Sequence, residues 1–451
     1  MQDVTTSLDA RPIPQTGAAK TARDVVQRLF RDTAADVALE LGDGTRLYEP
    51  ADRPSATIVI RHPGVLRALL IRSSDLATGE ALVRGDIAVL GDAERAFAAI
   101  DAVAAERSPT DWLAIVALSA RLPRSPETTP SPGGRGPARL RGRLHTLARD
   151  RAAIAYHYDV SNDFYRLWLD RDLTYSCAYF RDEGDSLDDA QQHKFEHICR
   201  KLRLQRGERL LDVGCGWGGL VRFAAREYGA RAVGITLSQR QVDYARERIA
   251  AEGLAGACTI ELLDYRELKA LGAFDKAASV GMVEHVGEAL LPIYFRSVLD
   301  ALRPGGLFLN HGITVQREKP TGLRALAGRF FPERSNFIEQ YVFPDGEIPR
   351  LAKETEAAED VGFEVRDVEN LREHYASTLR QWVRRLEAHE SEARALVGDA
   401  TYNTWRFYMS GSAHNFATGR LGLVQMLLAK RSADGRSHLP PTRADIYEAR
   451  T

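Results

Sequence analysis

The sequence has few cysteines, almost no net charge and no long apolar run. Its four cysteines in 451 residues form neither a CxxC pair nor a His–Cys cluster at zinc-ligand spacing, so we expect reduced thiols and no structural metal. The 61 basic and 62 acidic residues give a net charge of -1 and no global reason to expect nucleic-acid binding. No apolar run reaches the roughly 18 residues that span a bilayer, and no signal-peptide pattern opens the chain, so we expect a cytoplasmic protein.

A hydrophobic content of 44% suits a globular chain with more than one domain. Residues 1–120 mix helical periodicity with a β-branched run at Ala56–Ile60, which predicts a small α+β domain. Residues 121–150 are rich in Pro, Gly and Arg and form the predicted linker. Residues 151–451 make up the predicted larger domain.

The larger domain alternates short apolar runs with amphipathic stretches. This pattern predicts an α/β fold with a doubly wound, Rossmann-like parallel sheet, in which ligands bind beyond the carboxyl ends of the strands. Glu284 follows the fourth predicted strand and His311 closes the fifth. The five predicted strands are 209–213, 232–235, 259–263, 276–280 and 307–311.

A glycine-rich loop follows the first of these strands. Glycines at 214, 216 and 218 allow a sharp turn and a close approach of backbone to ligand before the next helix. The spacing alone is weak evidence, because dinucleotide-binding loops are related. Asp212 precedes the loop, as in S-adenosylmethionine (SAM) methyltransferases, and Thr236–Ser238 stand where a dinucleotide site would place an acidic residue. A nicotinamide enzyme is therefore disfavoured.

Several long motifs together resemble the cyclopropane-fatty-acyl-phospholipid synthase family over about residues 150 to 431. Near the N-terminus, residues 58–63 and 79–86 are similar to the lipid-binding domain of the bacterial phospholipid enzymes. The motifs that carry the resemblance are 158–165 (YDVSNDFY), 175–180 (YSCAYF), 211–219 (LDVGCGWGG), 281–287 (GMVEHVG), 341–344 (YVFP) and 405–408 (WRFY).

The resemblance implies that SAM donates a methyl group to the cis double bond of an acyl chain in a membrane phospholipid, which yields a cyclopropane and S-adenosylhomocysteine (SAH). It implies that Asp212 orients the methionine end of SAM. The residues that would hold SAM are Tyr175, Ser176, Asp212, Gly214, Gly216, Gly218, Thr236, Leu237, Gln241, Asp264 and Tyr265.

Ring closure needs a base beside the newly added methyl group, and in the family this base is a bound bicarbonate. The resemblance places the bicarbonate site at Cys177, Glu284, His311, the backbone of Ile313, and Tyr375. Three of these side chains could instead have purely structural roles: Cys177 could be a small buried hydrophobe, Glu284 a helix cap and His311 a core histidine.

Other functions remain open at this point. The same carbocation would alternatively give an exocyclic methylene and hence a methyl-branched chain. A small-molecule C- or N-methyltransferase and a non-enzymatic lipid-binding protein are disfavoured by the N-terminal module and by the intact glycine loop. The resemblance further implies a homodimer and peripheral contact with the inner face of the membrane.

Two basic segments are candidates for membrane contact. Arginines between Arg135 and Arg151 alternate with leucines at roughly helical spacing, which is typical of a helix on an anionic surface and equally of a solvated helix. The segment Arg317–Gln340 mixes Arg324, Arg329 and Arg334 with aromatic residues. It could dock headgroups or simply cover the cofactor.

Reversing the charge of Arg329 and Arg334 tests the docking role. The double change to Glu should reduce binding to anionic phospholipid vesicles, because each lost arginine weakens attraction to the surface. Vesicle co-sedimentation measures the effect, with SAM affinity by calorimetry as the control that should not change. Undiminished vesicle binding would refute the docking role.

Overall fold

The computed structural model describes residues 17–72, 75–125, 136–138, 140–158, 160–316 and 337–447. The chain forms two compact units. Unit 1 takes the described residues within Met1–Pro137, Pro332–Val342 and Glu390–His414, and unit 2 takes those within Ala138–Phe331, Phe343–His389 and Asn415–Thr451. Two late segments thus cluster with the N-terminal residues, although the sequence analysis assigned them to the larger domain. Within these described ranges, no helix is both long and apolar enough to cross a bilayer.

Unit 1 is an α+β module around a four-stranded sheet of order β2-β1-β3-β4, with β1 and β3 parallel and both outer pairs antiparallel. Its helices bury an apolar core against the sheet, including Val25 and Val26 of α1. The elements are β1 Val37–Leu41, β2 Arg46–Tyr48, β3 Ala56–Ile60, β4 Ile87–Gly91, α1 Ala18–Leu29, α2 Pro63–Arg72, α3 Asp75–Val83, α4 Ala93–Glu106 and α5 Pro109–Ser119. The predicted strand coincides with β3.

Unit 2 is built on a seven-stranded sheet of order β10-β11-β9-β8-β5-β6-β7. Only β11 runs against its neighbours, so the predicted doubly wound, mainly parallel sheet is confirmed. The strands are β5 Arg209–Val213, β6 Arg231–Thr236, β7 Cys258–Leu262, β8 Phe274–Val280, β9 Leu302–Val315, β10 Phe363–Asn370 and β11 Leu421–Lys430.

Both faces of this sheet are covered, which explains why its strands appear as continuous apolar runs. Leu210 and Leu211 point to opposite faces and join separate cores.

The remaining helices of the two units are α6 Leu147–Tyr158, α7 Asn162–Arg166, α8 Leu187–Lys201, α9 Gly219–Tyr228, α10 Gln239–Ala251, α11 Leu291–Ala301, α12 Phe337–Tyr341, α13 Leu351–Asp360, α14 Arg372–Ala388, α15 Glu390–Ala417 (broken at Gly398) and α16 Ala444–Tyr447, with 3-10 turns at Tyr265–Leu271, Val283–His285 and Glu288–Leu290.

The strand order reverses at β5, since the chain passes from β5 to β6 and β7 on one side and then to β8 and β9 on the other. A crevice therefore opens beyond the carboxyl end of β5, where the glycine loop lies. Gly214 has φ +80, and a Cβ there would lie 3.0 Å from Cγ of Met282. The loop can come this close to the turn after β8 because glycine lacks a side chain.

The predicted helix over Arg135–Arg151 is only partly correct. Arg135 and Arg139 lie outside the described residues, and α6 begins only at Leu147. Gly142 has φ +93 and His145 has φ +58, which are incompatible with a continuous right-handed helix through this stretch. The basic residues between 140 and 146 therefore lie on irregular backbone.

Replacing Gly312 of β9 by alanine should destabilise unit 2. A Cβ at Gly312 would lie 2.3 Å from Cγ1 of Val283, so the Val283–His285 turn would have to move. We expect a loss of about 1–3 kcal/mol in the free energy of unfolding, measured by urea denaturation. Gly256→Ala is the matched control, because nothing lies within 4 Å of the added Cβ there. Equal stability of the two variants would contradict the expectation.

Candidate functional site

A cavity at the reversal of strand order brings together ten of the eleven predicted cofactor residues. Gly218 does not line this cavity. It turns the chain into α9 with φ +81, and a Cβ there would lie 3.1 Å from Cβ of Ala245. The predicted residues that line the cavity are Tyr175, Ser176, Asp212, Gly214, Gly216, Thr236, Leu237, Gln241, Asp264 and Tyr265.

Strand ends position the polar side chains of the cavity, as expected for a parallel sheet. Asp212 lies near the end of β5, and Thr236 ends β6 and donates its hydroxyl to Oε1 of Gln241 at 2.6 Å. Asp264 follows β7, where Arg266 holds both of its oxygens at 2.6 and 2.8 Å. Arg266 also donates to Asp150 of α6 at 2.7 Å, so an ion-pair network connects α6 to the edge of the cavity.

The cavity contains a buried anion and a buried cation. Burial raises the pKa of Asp212 to about 7, and the nearby charge of Lys194 opposes this rise. Lys194, on α8, donates from Nζ to Oγ of Ser176 at 2.7 Å and also lines the cavity. Lys194 was not among the predicted cofactor residues. The available signal was a lysine at a core position of an amphipathic helix.

Glu284 and Ile313 meet where β8 stops and β9 continues. β8 ends at Val280, opposite His311, so no strand pairs with β9 at Ile313 on that side. The Ile313 N–H instead donates to Oε1 of Glu284 at 2.6 Å. Burial raises the pKa of Glu284 to about 7, and this backbone hydrogen bond opposes the rise. Oε2 of Glu284 is buried and has no hydrogen-bond partner among the described residues.

His311 lies inside a strand, and the expectation that it closes the fifth strand was wrong. β9 continues to Val315 because β11 pairs with it beyond the end of β8. Nδ1 of His311 lies 3.1 Å from Nε2 of Gln425, and burial lowers the pKa of His311 well below its usual value. With Gln425 as the donor, Nε2 of the neutral ring carries the hydrogen. Nε2 is buried and unpaired in the described part of the chain.

Cys177 meets the N-terminus of α14, the helix that carries Tyr375, at the backbone of Leu371. Its carbonyl lies 3.9 Å from Sγ of Cys177 and accepts from the Tyr375 N–H at 3.2 Å. Leu371 N donates to the carbonyl of Leu423, the β11 partner of Ile313, at 2.8 Å. Burial raises the pKa of the Cys177 thiol, whose nearest acceptor is the Ala178 carbonyl at 3.2 Å. The predicted base-site residues therefore occupy one neighbourhood around β9 and β11.

Comparisons with known proteins agree with this geometry. The model of the mycolic acid cyclopropane synthetase family matches residues 145–426. A probable fatty acid methyltransferase of Pseudomonas putida is 44% identical over 411 residues, 91% of this chain and 95% of that protein. The cyclopropane-fatty-acyl-phospholipid synthase of Escherichia coli K12 is 36% identical over 279 residues, 62% of this chain and 68% of that enzyme.

A solved structure shares the fold of unit 2. Mycolic acid cyclopropane synthase CmaA1, complexed with SAH and CTAB, matches with a TM-score of 0.57 and 33% identity over 62% of this chain and 98% of that one. The sheet and the crevice beyond β5 are thus those of a SAM-dependent methyltransferase. More specifically, the chain belongs to the mycolic acid cyclopropane synthetase family, whose model matches more than half of it.

The buried carboxyl of Glu284 should make stability depend on pH. Because its pKa is about 7 in the folded state against 4.5 ordinarily, its contribution to stability is present at low pH and is lost as pH rises through 7. Glu284→Gln should therefore gain roughly 2–3 kcal/mol over the wild type between pH 5 and pH 8. Denaturant unfolding at both pH values measures this difference.

The control is Glu267→Gln, a change of the same type at an exposed position of the Tyr265–Leu271 turn. Its stability relative to the wild type should be the same at both pH values. A pH-independent difference for Glu284→Gln would argue against an uncompensated buried carboxyl.

Proposed function

We propose that the protein transfers a methyl group from SAM to the cis double bond of an unsaturated acyl chain in a membrane phospholipid and closes a cyclopropane ring, with bicarbonate as the base. The observation that carries the proposal is the pair of buried, unpaired atoms near β9 in the described chain: Oε2 of Glu284 and Nε2 of His311. One can accept a hydrogen bond and the other can donate one, which fits a small anion that carries a hydroxyl group.

The reaction first makes a carbon–carbon bond. The π electrons of the alkene attack the methyl carbon, the carbon–sulfur bond breaks with its electron pair left on sulfur, and positive charge develops on the other alkene carbon. A proton then leaves the new methyl group, and the electrons of that C–H bond close the ring. Bicarbonate, when bound, supplies the base for this proton.

The chain's own residues orient the anion and keep it basic. The Glu284 carboxylate accepts at Oε2 and is itself fixed through Oε1 by the Ile313 N–H at 2.6 Å. His311 donates from Nε2 while Gln425 holds Nδ1 at 3.1 Å. Both holding groups lie in the sheet, so the two functional atoms are preorganised.

Aromatic side chains link the cofactor cavity to the base site. The ring of Trp382 lies 5.2 Å from that of Tyr175 and 6.0 Å from that of Tyr375, and Trp168 lies 5.6 Å from Tyr175. Trp382 and Trp168 are fully buried. Aromatic faces stabilise a carbocation without capturing it, and a dry environment prevents water from doing so. This cluster supports a reaction that passes through a cation.

Membrane contact, a lipid-binding role for the N-terminal residues and a homodimer form a further part of the proposal. The resemblance of residues 58–63 and 79–86 supports the lipid-binding role, and family analogy alone supports the dimer. An exposed surface of Arg141, Arg143, Leu144 and Leu147 supports contact with anionic lipid, since Leu144 is 61% exposed beside two exposed arginines. The Arg317–Gln340 segment lies outside the described residues except for 337–340.

The second candidate product is an acyl chain with an exocyclic methylene group, which becomes a methyl branch only after a separate two-electron reduction. The name of the Pseudomonas putida relative, a probable fatty acid methyltransferase, favours this candidate. The substrate, the cofactor and the base site would be the same. In this case a hydride first moves from the methylated carbon to the neighbouring cationic carbon, and a proton then leaves the methyl group, so that the electrons of that C–H bond form the exocyclic double bond.

Proton NMR of lipid extracted after incubation with methyl-labelled SAM and monounsaturated phospholipid vesicles distinguishes the products. We expect strongly upfield ring-methylene signals. Vinylidene signals would establish the second candidate, and an unmodified lipid would overturn both. The two products are isomers, so mass alone does not separate them.

Two arms of the same experiment test the base site. Glu284→Gln should bind SAM as the wild type does and lose most turnover, by about 100-fold or more. Its amide oxygen accepts from the Ile313 N–H, so an NH2 group, which cannot accept the hydroxyl proton of bicarbonate, takes the position of Oε2. Degassed, bicarbonate-free buffer should slow the wild type, and added bicarbonate should restore its rate. Full activity of Glu284→Gln would remove this residue from the mechanism.

A further inference from the structure

Lys194 lines the cofactor cavity, but the proposed reaction gives it no role. Its side chain is 1% exposed, it projects from α8, and Nζ donates to Oγ of Ser176 at 2.7 Å. An ammonium group has three N–H donors, so two remain without a protein partner in the described chain.

No carboxylate of the described residues forms an ion pair with Lys194. Asp170, Asp212 and Cys177 are close enough to affect its pKa but not to pair with it, and burial lowers that pKa to about 8. The charges of Asp170 and Asp212 therefore favour the ammonium only from a distance, and a buried cation without a paired counter-charge is costly. A ligand anion in contact with Nζ would compensate Lys194 directly.

The carboxylate of Asp212, in the same cavity, lacks a paired cation among the described residues. Asp212 is 3% exposed and lines the cavity with Lys194 and Ser176. The two opposite charges are separated rather than paired, and both face the cavity. A ligand that carries an ammonium and a carboxylate on one carbon satisfies both charges, and the methionyl part of SAM has this zwitterionic form.

We propose that Lys194 binds the α-carboxylate of SAM, while Asp212 takes the α-ammonium, so that the two residues together recognise the amino-acid end of the cofactor. This inference rests on the proposed function only in its choice of SAM as the ligand. Through Ser176, Lys194 also fixes a residue next to Cys177, so cofactor binding is coupled to the neighbourhood of the base site.

If Lys194 had a purely structural role, its charge would be expected to pair with a carboxylate of the protein, as the charge of Lys201 does. Lys201 lies two turns later on α8 and is equally buried, but Nζ is 2.6 Å from Oε2 of Glu369 and the residue does not line the cavity. Its charge is compensated within the protein. Lys201→Met is therefore the matched control for Lys194→Met.

The test compares SAM with decarboxylated SAM, which lacks only the α-carboxylate. Calorimetry should show that the wild type binds SAM at least about tenfold more tightly than decarboxylated SAM, since a buried charge-assisted hydrogen bond is lost. Lys194→Met should lose about tenfold in affinity for SAM, should keep its affinity for decarboxylated SAM and so should abolish the discrimination. Lys201→Met should keep the wild-type ratio.

Equal binding of both ligands by the wild type would overturn the proposal, and this arm needs no variant. Equal weakening of both ligands in Lys194→Met would assign the residue a structural role and would also overturn it. Lys194→Gln, which keeps a donor to Ser176, provides the same comparison if the methionine variant does not fold. Normal SAM discrimination without lipid methylation would refute the proposed function and leave this inference standing.

Discussion

The hydrogen bond from the Ile313 N–H to Glu284 connects the sheet of unit 2 to the proposed base site. It exists because β8 ends at Val280 while β9, paired with β11, continues to Val315. The Ile313 N–H is thereby left without a carbonyl acceptor from a neighbouring strand, and the Glu284 carboxylate accepts its hydrogen bond instead. The bond fixes Oε1, so Oε2 is presented at a defined position instead of rotating freely. If β9 ended opposite the end of β8, at His311, the sheet would no longer fix the Ile313 N–H.

Burial without full compensation is a recurring property of this site. Glu284, Asp212 and Lys194 each lie in an environment that disfavours their charged form, and for each of them burial is the largest cause of the pKa shift. Such groups lower the stability of the folded protein when no ligand is present. Asp212 and Lys194 line one cavity, and buried charged groups of this kind are typical of a site whose missing partners come with the ligands.

The aromatic cluster around Tyr175 gives the crevice a second property. Trp168, Trp382 and Tyr375 pack edge-on or stacked within about one ring width of one another. Tyr175 lines the cavity, and the fully buried Trp168 and Trp382 pack against it. A dry, electron-rich wall favours a developing carbocation. Buried charges and an aromatic wall in one cavity suit a reaction between a cationic cofactor and an apolar chain.

Local sequence alone determined the strands of the unit 2 sheet up to β9 and the glycine loop, because apolar periodicity and glycine reflect burial and short-range sterics. Most other residues of the cavity were predicted from the family resemblance. Tertiary structure decided what depends on strand pairing. It placed His311 within β9, beside Gln425 of a strand more than 100 residues later, and it brought Cys177 to the carbonyl of Leu371, 194 residues away. It also showed that Lys194 has no carboxylate partner among the described residues, since a sequence contains a lysine but not the distance to its nearest carboxylate.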